Sequence, residues 1–114
     1  MLLVPFVLAT ALGACATTAL SPERITSSEA AIQSADAVSA GKIPAAALHV
    51  RLAQEELAQA KAFAKDGDAA RAELFLQRSA ADSELALALA RQADAQADAD
   101  KAKAALRTVE GKSS

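Results

Sequence analysis

The fold is decided by residues 44–91, which read PAAALHVRLAQEELAQAKAFAK (44–65), DGD (66–68) and AARAELFLQRSAADSELALALAR (69–91). In both long segments, apolar or small residues recur at spacings of three and four, which predicts two helices with heptad-like seams. The seams are Ala46, Val50, Ala53, Leu57, Ala60 and Ala64, and then Ala72, Phe75, Ser79, Ser83, Ala86 and Ala90. Gly67 suits the end of the first helix and Asp68 can cap the second, so we predict an antiparallel hairpin.

Each of these helices carries a second apolar stripe beside its seam. The second stripes are Leu48, Leu52 and Phe63, and then Leu74, Leu85 and Leu89. A helix with two apolar stripes usually contacts two neighbours, so the hairpin is expected to have a further partner.

The second hairpin helix is predicted to continue well past Arg91. No Gly or Pro interrupts the chain from Ala69 to about Thr108, which is roughly 60 Å of helix at 1.5 Å per residue. Residues 92–105, QADAQADADKAKAA, alternate like a strand, but Ala, Asp and Lys are depleted in strands and Ala is the best helix former. This part has almost no large apolar residue, so it is either a solvated extension or an alanine-based contact with another chain. Fraying is expected from Glu110, with residues 111–114 as a disordered tail.

A shorter helix is predicted before the hairpin. Ser21-Pro22-Glu23 is typical of a helix start, and Ile25, Ile32 and Ala35 form its apolar side. It should end near Ala40, with Gly41 after it; a start at Ser27–Ser28 is the alternative. The predicted fold is therefore all-α, with three helices over residues 22–110 and a long C-terminal helix.

Composition excludes several classes of function. Ala supplies 33 residues, aromatic residues are only 3%, and the formal net charge is −2, with both signs spread along the chain. No basic patch and no Trp or Tyr are present for a nucleic-acid surface. The single Cys excludes an internal disulfide.

The position of that Cys indicates lipidation. Residues 1–12, MLLVPFVLATAL, form an apolar run too short to span a bilayer. Leu12-Gly13-Ala14-Cys15 resembles the bacterial lipobox, which implies cleavage before Cys15 and a lipid on its thiol. We therefore expect a signal peptide at 1–14 and a lipidated tether at 15–21.

Two further features bear on the lipobox interpretation. The start carries no Lys or Arg, so we expect a basic segment upstream of Met1; an ordinary buried Cys is the alternative reading. The residue that follows the Cys is Ala16. In Gram-negative lipoproteins an Asp at this position commonly retains the protein in the inner membrane. An Ala there implies that the protein is sorted to the periplasmic face of the outer membrane.

The helical region resembles an uncharacterised family of short, alanine-rich bacterial envelope lipoproteins. The resemblance rests on Ala31-Ile32, Pro44 with Leu48, Leu57-Ala58-Gln59-Ala60, the turn at 66–68, and Ala72 with Asp82. The family's longer Gly-Ala, aromatic, Ala-Pro run is shortened here to Gly41-Lys42-Ile43-Pro44. Some relatives carry a similar region beside an OmpA-like peptidoglycan-binding domain, so the resemblance implies an envelope location and no activity.

The candidate sites all have simpler structural explanations. His49 has no second His or Cys nearby in sequence for a metal site. Asp66-Gly67-Asp68 lacks the other ligands of a calcium loop, so helix capping is the better interpretation. Glu55 and Glu56 are adjacent and point apart on a helix, and Ser79 and Ser83 have no His to activate them. We expect neither an enzyme nor a cofactor.

Three roles follow from the sequence as hypotheses. The first is a lipid-anchored structural or interaction protein that binds an envelope protein or a second copy of itself. The second is a lipoprotein that binds peptidoglycan or a small ligand. The third is a coiled-coil oligomer similar to murein lipoprotein, although the breaks at Pro44 and Gly67 and the ending Lys112-Ser113-Ser114 depart from that type.

Overall fold

Three helices build the protein. A computed structural model describes residues 20–39 and 42–113, and in these ranges the chain forms α1 (Pro22–Ser39), α2 (Pro44–Lys65) and α3 (Ala69–Lys112), with no strand. The predicted all-α fold with a long C-terminal helix is confirmed.

The helix starts and the main turn follow local chemistry. α1 begins at Pro22 rather than at the alternative Ser27–Ser28. Ile43 is extended (φ −131°, ψ 99°), as expected before a proline, and Pro44 opens α2. Gly67 has φ +79°, and the Asp68 carboxylate accepts a hydrogen bond from the Arg71 backbone N–H at 3.0 Å. Both predicted roles in the turn are confirmed. Gly41 lies outside the described residues.

The hairpin packs through the two seams. Five of the six predicted α2 residues are buried, and Ala64 is half-buried. On α3 the buried residues are Ala72, Leu76, Ser79, Ser83, Ala86 and Ala90. The sequence predicts Phe75 in this seam, whereas the structure buries Leu76 there, with 2% of it exposed. Position 76 lies four residues after Ala72 and three before Ser79, so it belongs to the same helix face, whereas the Phe75 ring lies at the seam's edge.

α1 lies along one side of the hairpin. Ile32 and Ala35 are buried. Arg24 forms an ion pair with Glu73 near the start of α3, and Glu29 forms one with Lys61 near the end of α2. Ile32 shares a groove with Gln54 and Leu57, further from the turn. These contacts make α1 antiparallel to α2 and parallel to α3, so its first residue lies at the end of the molecule that holds the 66–68 turn.

The opposite side of the hairpin is only partly covered. Near the turn, the rings of Phe63 and Phe75 lie 5.3 Å apart between centroids, and the Arg71 guanidinium lies 4.7 Å from the Phe63 centroid. Leu52, Phe63 and Leu89 are half-buried, whereas Leu48, Leu74 and Leu85 stay exposed by 43–45%. The second stripes therefore have no complete partner within the described chain.

α3 ends later than the sequence predicts. The helix continues through Lys112, beyond the expected end near Thr108 and into the segment 111–114 that was expected to be disordered. An isolated Gly such as Gly111 costs a helix only ~1 kcal/mol and does not by itself stop it. The hydroxyls of Thr108 and Ser113 each donate to the carbonyl four residues earlier, which adds local bonds in these last turns. No helix among the described residues is long and apolar enough to cross a membrane.

Candidate interaction surface

The second half of α3 runs past the other two helices into solvent. Buried residues on α3 end at Ala90, and every described residue from Asp94 to Ser113 is exposed. We call residues 91–113 the distal arm. At 1.5 Å per residue it extends about 33 Å beyond the hairpin. Its two large apolar side chains, Leu106 and Val109, are each 63% exposed.

The exposed apolar residues of α3 are spaced in a regular way. Leu74, Leu85, Leu106 and Val109 are its exposed large hydrophobic residues, and all four fall on one series with alternating steps of four and three. We call this series the outer seam. Its members are Leu74, Arg78, Ala81, Leu85, Ala88, Gln92, Ala95, Ala99, Ala102, Leu106 and Val109, and all of them are exposed. The apolar stripes predicted from the sequence lie within the hairpin, so the outer seam was not among the predictions.

Charge is divided along the distal arm. Three acidic residues, Asp94, Asp98 and Asp100, precede three basic residues, Lys101, Lys103 and Arg107. The predicted (i, i+3) pairs are present, with Asp98–Lys101 at 3.2 Å and Asp100–Lys103 at 3.8 Å between nitrogen and oxygen. These side chains are 60–77% exposed, so the pairs contribute little to stability.

A second feature is a cluster of titratable groups on the partly covered side of the hairpin. His49 Nδ1 lies 2.6 Å from Asp82 Oδ1, and the two side chains are 23% and 21% exposed. The Glu56 side chain meets the same aspartate, and its Oε2 is buried without a hydrogen-bond partner. Glu56 follows His49 by seven residues, or about two turns, which places both on one face of α2.

The environment of Glu56 favours its protonated form. Burial, followed by the hydrogen bond and the negative charge of Asp82, raises the pKa of this carboxyl from 4.5 to about 7, although the nearby Arg78 opposes the shift. A protonated Glu56 can donate to the Asp82 carboxylate, which itself accepts from His49. The sequence alone does not predict this cluster, because Asp82 joins it only through the register of α3 against α2.

The other candidate residues have the structural roles that the sequence predicts. Ser79 and Ser83 are 0% and 1% exposed at the helix contact. The Ser79 hydroxyl donates to the Ala53 carbonyl at 2.8 Å, and the Ser83 hydroxyl donates to the Ser79 carbonyl at 2.9 Å. Glu55 points away from Glu56 and lies 3.8 Å from Arg51. Within the described ranges, no group of three or more His, Cys, Asp or Glu side chains is arranged to hold a metal ion.

The predicted lipidation site lies outside the described residues. Leu12, Gly13, Ala14 and Cys15 precede Leu20, the first residue that the structure describes. Leu20 itself packs against the core. The lipobox interpretation therefore stays a prediction.

Comparison of the chain with protein-family models, with curated proteins and with solved structures finds no match. The resemblance to alanine-rich envelope lipoproteins thus also stays a prediction.

Proposed function

We propose that this protein is a lipid-anchored lipoprotein of the bacterial envelope, held through Cys15 at the periplasmic face of the outer membrane. In this proposal the three-helix body positions the distal arm, and the arm binds a protein. The role is structural or one of interaction rather than catalysis.

The observation that carries this proposal is the separation of the two ends of the molecule. α1 begins at the end that holds the 66–68 turn, as the Arg24–Glu73 and Glu29–Lys61 ion pairs show. The distal arm leaves the body at the opposite end. A lipid on Cys15 would be joined to α1 by a tether of seven residues, which spans at most about 25 Å. The anchor and the arm would thus lie at opposite ends of the body.

Lipid labelling tests the anchor. The protein is expressed from its own gene in bacteria grown with an alkyne-tagged palmitate. We expect label on the native chain and on the matched control Ala16→Ser, but none on Cys15→Ser, which should also leave the membrane fraction. A native chain that carries no label contradicts the anchor.

Photo-crosslinking in living cells tests the arm. A reactive residue is placed at Ala97 on the arm, and the matched control carries it at Ala47, an exposed position on α2. We expect a discrete protein adduct from Ala97 and a weaker one or none from Ala47. If neither position gives an adduct while the protein stays in the membrane fraction, the interaction role is wrong and cell-wall binding becomes the better hypothesis.

A further inference from the structure

We propose that Glu56 is a proton-operated switch on the partly covered side of the hairpin, bonded to Asp82 when it is protonated and paired with Arg78 when it is ionised. In the second state the Arg78 guanidinium leaves the face of the Phe75 ring. This inference goes beyond the interaction role proposed above, and it depends on neither the lipid anchor nor the distal arm.

The structure shows the first of these two states. His49 Nδ1 lies 2.6 Å from Asp82 Oδ1, and the carboxyl group of Asp82 is also in hydrogen-bond contact with the Glu56 side chain. Two carboxyl groups in contact at a partly buried site resist being ionised together, so they share one proton. The hydrogen bond from His49 favours the ionised form of Asp82, which leaves the proton on Glu56.

An ionised Glu56 is poorly accommodated in this first position. Its Oε2 is buried without a hydrogen-bond partner, and Asp82, which the side chain meets, would repel the new charge. A buried charge without a partner is far more costly than a buried neutral carboxyl group. Loss of the proton therefore drives the side chain away from Asp82 and toward a positive charge.

Arg78 is a positive charge at the right height on the neighbouring helix. Two contacts fix the register of α2 against α3 in this region, Ala53 with Ser79 and Phe63 with Phe75. Glu56 lies between these contacts on α2, and Arg78 lies between them on α3. The two helices are antiparallel, so the two residues are at nearly the same height. Arg78 accordingly lowers the pKa of Glu56.

In the first state the two side chains lean apart. Side chains on a helix lean toward its N-terminus, and on antiparallel helices these directions are opposite. Glu56 thus reaches Asp82, further from the 66–68 turn, whereas the Arg78 guanidinium lies 5.1 Å from the Phe75 centroid, nearer the turn. Arg78 is exposed, so side-chain rotation can bring the two charges together with the backbone unchanged.

The other charged groups around Glu56 do not provide this second partner. On α2, Glu55 is negative and raises the pKa of Glu56, and His49 bonds to Asp82. On α3, Asp82 raises this pKa and Arg78 lowers it. α1 packs on the other side of the hairpin, where its ion pairs with α2 and α3 lie. Arg78 is therefore the partner that the geometry selects.

Nuclear magnetic resonance on the full chain tests the exchange of partners. The Cys15→Ser protein is kept in detergent, and the δ protons of Arg78 are followed between about pH 5 and pH 9. At low pH the Phe75 ring should shift these protons upfield, because the guanidinium lies over the ring. The upfield shift should be lost as pH rises through about 7, where Glu56 loses its proton.

Single substitutions identify the group that drives the change. Glu56→Gln can still donate to Asp82 but cannot ionise, so the upfield shift should persist over the whole range. Glu55→Gln is the matched control and should keep the native transition. Phe75→Leu should remove the upfield shift at every pH. Arg78 signals that do not change with pH in the native chain overturn the switch, and so does a transition that survives Glu56→Gln.

Titration of Glu56 tests the second state. Its carboxyl carbon signal reports its ionisation, and Arg78→Gln should raise its pKa by removing the partner of the ionised form. Arg51→Gln removes the same charge from an exposed position on α2 and should leave this pKa unchanged. An unchanged pKa in Arg78→Gln contradicts the pairing.

His49 provides an internal check. It is the single His of the chain, so its ring protons report its own ionisation without overlap. We expect the Arg78 transition to follow the carboxyl signal of Glu56. If it follows the ring signals of His49 instead, and disappears in His49→Asn, then His49 drives the change and the proposal is wrong.

Discussion

At the scale of single residues, small side chains control the approach of α2 and α3. Ser79 is fully buried, and its hydroxyl lies 2.8 Å from the Ala53 carbonyl, so no space remains there for a larger group. Overpacking of such a contact typically costs 1–3 kcal/mol, because the helices must move apart.

We therefore expect Ser79→Leu to lower the free energy of unfolding by about 2 kcal/mol or more. The matched control is Ala81→Leu, which adds similar bulk at an exposed position of the same helix and should change stability little. Urea unfolding followed by circular dichroism measures both. Equal effects of the two substitutions would show that α2 and α3 do not approach closely at Ser79.

Glu56 gives the residue-scale prediction for pH. Its pKa is raised from 4.5 to about 7 in the folded protein, chiefly by burial and then by Asp82. The folded state thus holds this proton more tightly than the unfolded state. The stabilisation is fully present below about pH 4.5 and is lost as pH rises through about 7.

Glu56→Gln should flatten this part of the pH profile and stabilise the protein at about pH 8, by roughly 1 kcal/mol once solvent screening at a partly exposed site is allowed for. Glu55→Gln removes the same charge from the neighbouring exposed position and serves as the control. Thermal unfolding between about pH 5 and pH 8 provides the measurement. If Glu56→Gln loses stability at the high end as steeply as the native chain, the raised pKa is wrong.

Ser79 and Glu56 differ in how well their roles could be predicted from the sequence alone. Ser79 was predictable, because a serine at heptad spacing among alanines belongs to a helix contact. The Glu56–Asp82–His49 cluster was not, since its members lie on two helices and meet only in one register. Leu76 was missed for a related reason: two neighbouring positions, 75 and 76, both fit the apolar spacing, and only packing decides between them.

At the scale of elements, two glycines that look alike in sequence have opposite roles. Gly67 has φ +79°, whereas Gly111 is helical, and an added Cβ would meet no atom within 4 Å at either position. Substitution at each therefore changes backbone energy without a clash.

Gly67→Ala should destabilise the hairpin by ~1 kcal/mol, because an L-residue resists the left-handed conformation. Gly111→Ala should instead strengthen the end of α3 by up to ~1 kcal/mol and leave unfolding of the body unchanged. Thermal melts report the first effect, and amide exchange in the last turns of α3 reports the second. A Gly67→Ala protein as stable as the native one would contradict the turn geometry.

The helix boundaries show where local signals suffice. The start of α2 was predictable from Pro44, and the break before α3 was predictable from the Asp-Gly-Asp turn. In both cases the residues restrict the conformation of their own backbone. The end of α3 had no such signal, and two residues of the expected tail, Gly111 and Lys112, are helical. For the distal arm, the sequence allows either a solvated extension or a contact with another chain. The structure shows the arm exposed, with the heptad-spaced outer seam along one face.

At the scale of the whole molecule, the body separates the proposed anchor from the distal arm. The 66–68 turn lies at the end of the body where α1 begins, and the arm leaves the body at the other end. From Ala69 to Lys112, α3 alone spans about 65 Å at 1.5 Å per residue. A lipid on Cys15 would therefore hold the turn closer to the membrane than the arm.

This arrangement predicts where labels lie relative to a membrane. Fluorophores are attached to Asp66→Cys and, separately, to Ala97→Cys in the lipidated protein on vesicles that carry a headgroup quencher. We expect stronger quenching at position 66 than at position 97, because about 45 Å along α3 separates the two positions and the turn lies at the end of the body that the anchor would hold. Equal quenching at both positions would instead show that the body lies flat along the surface.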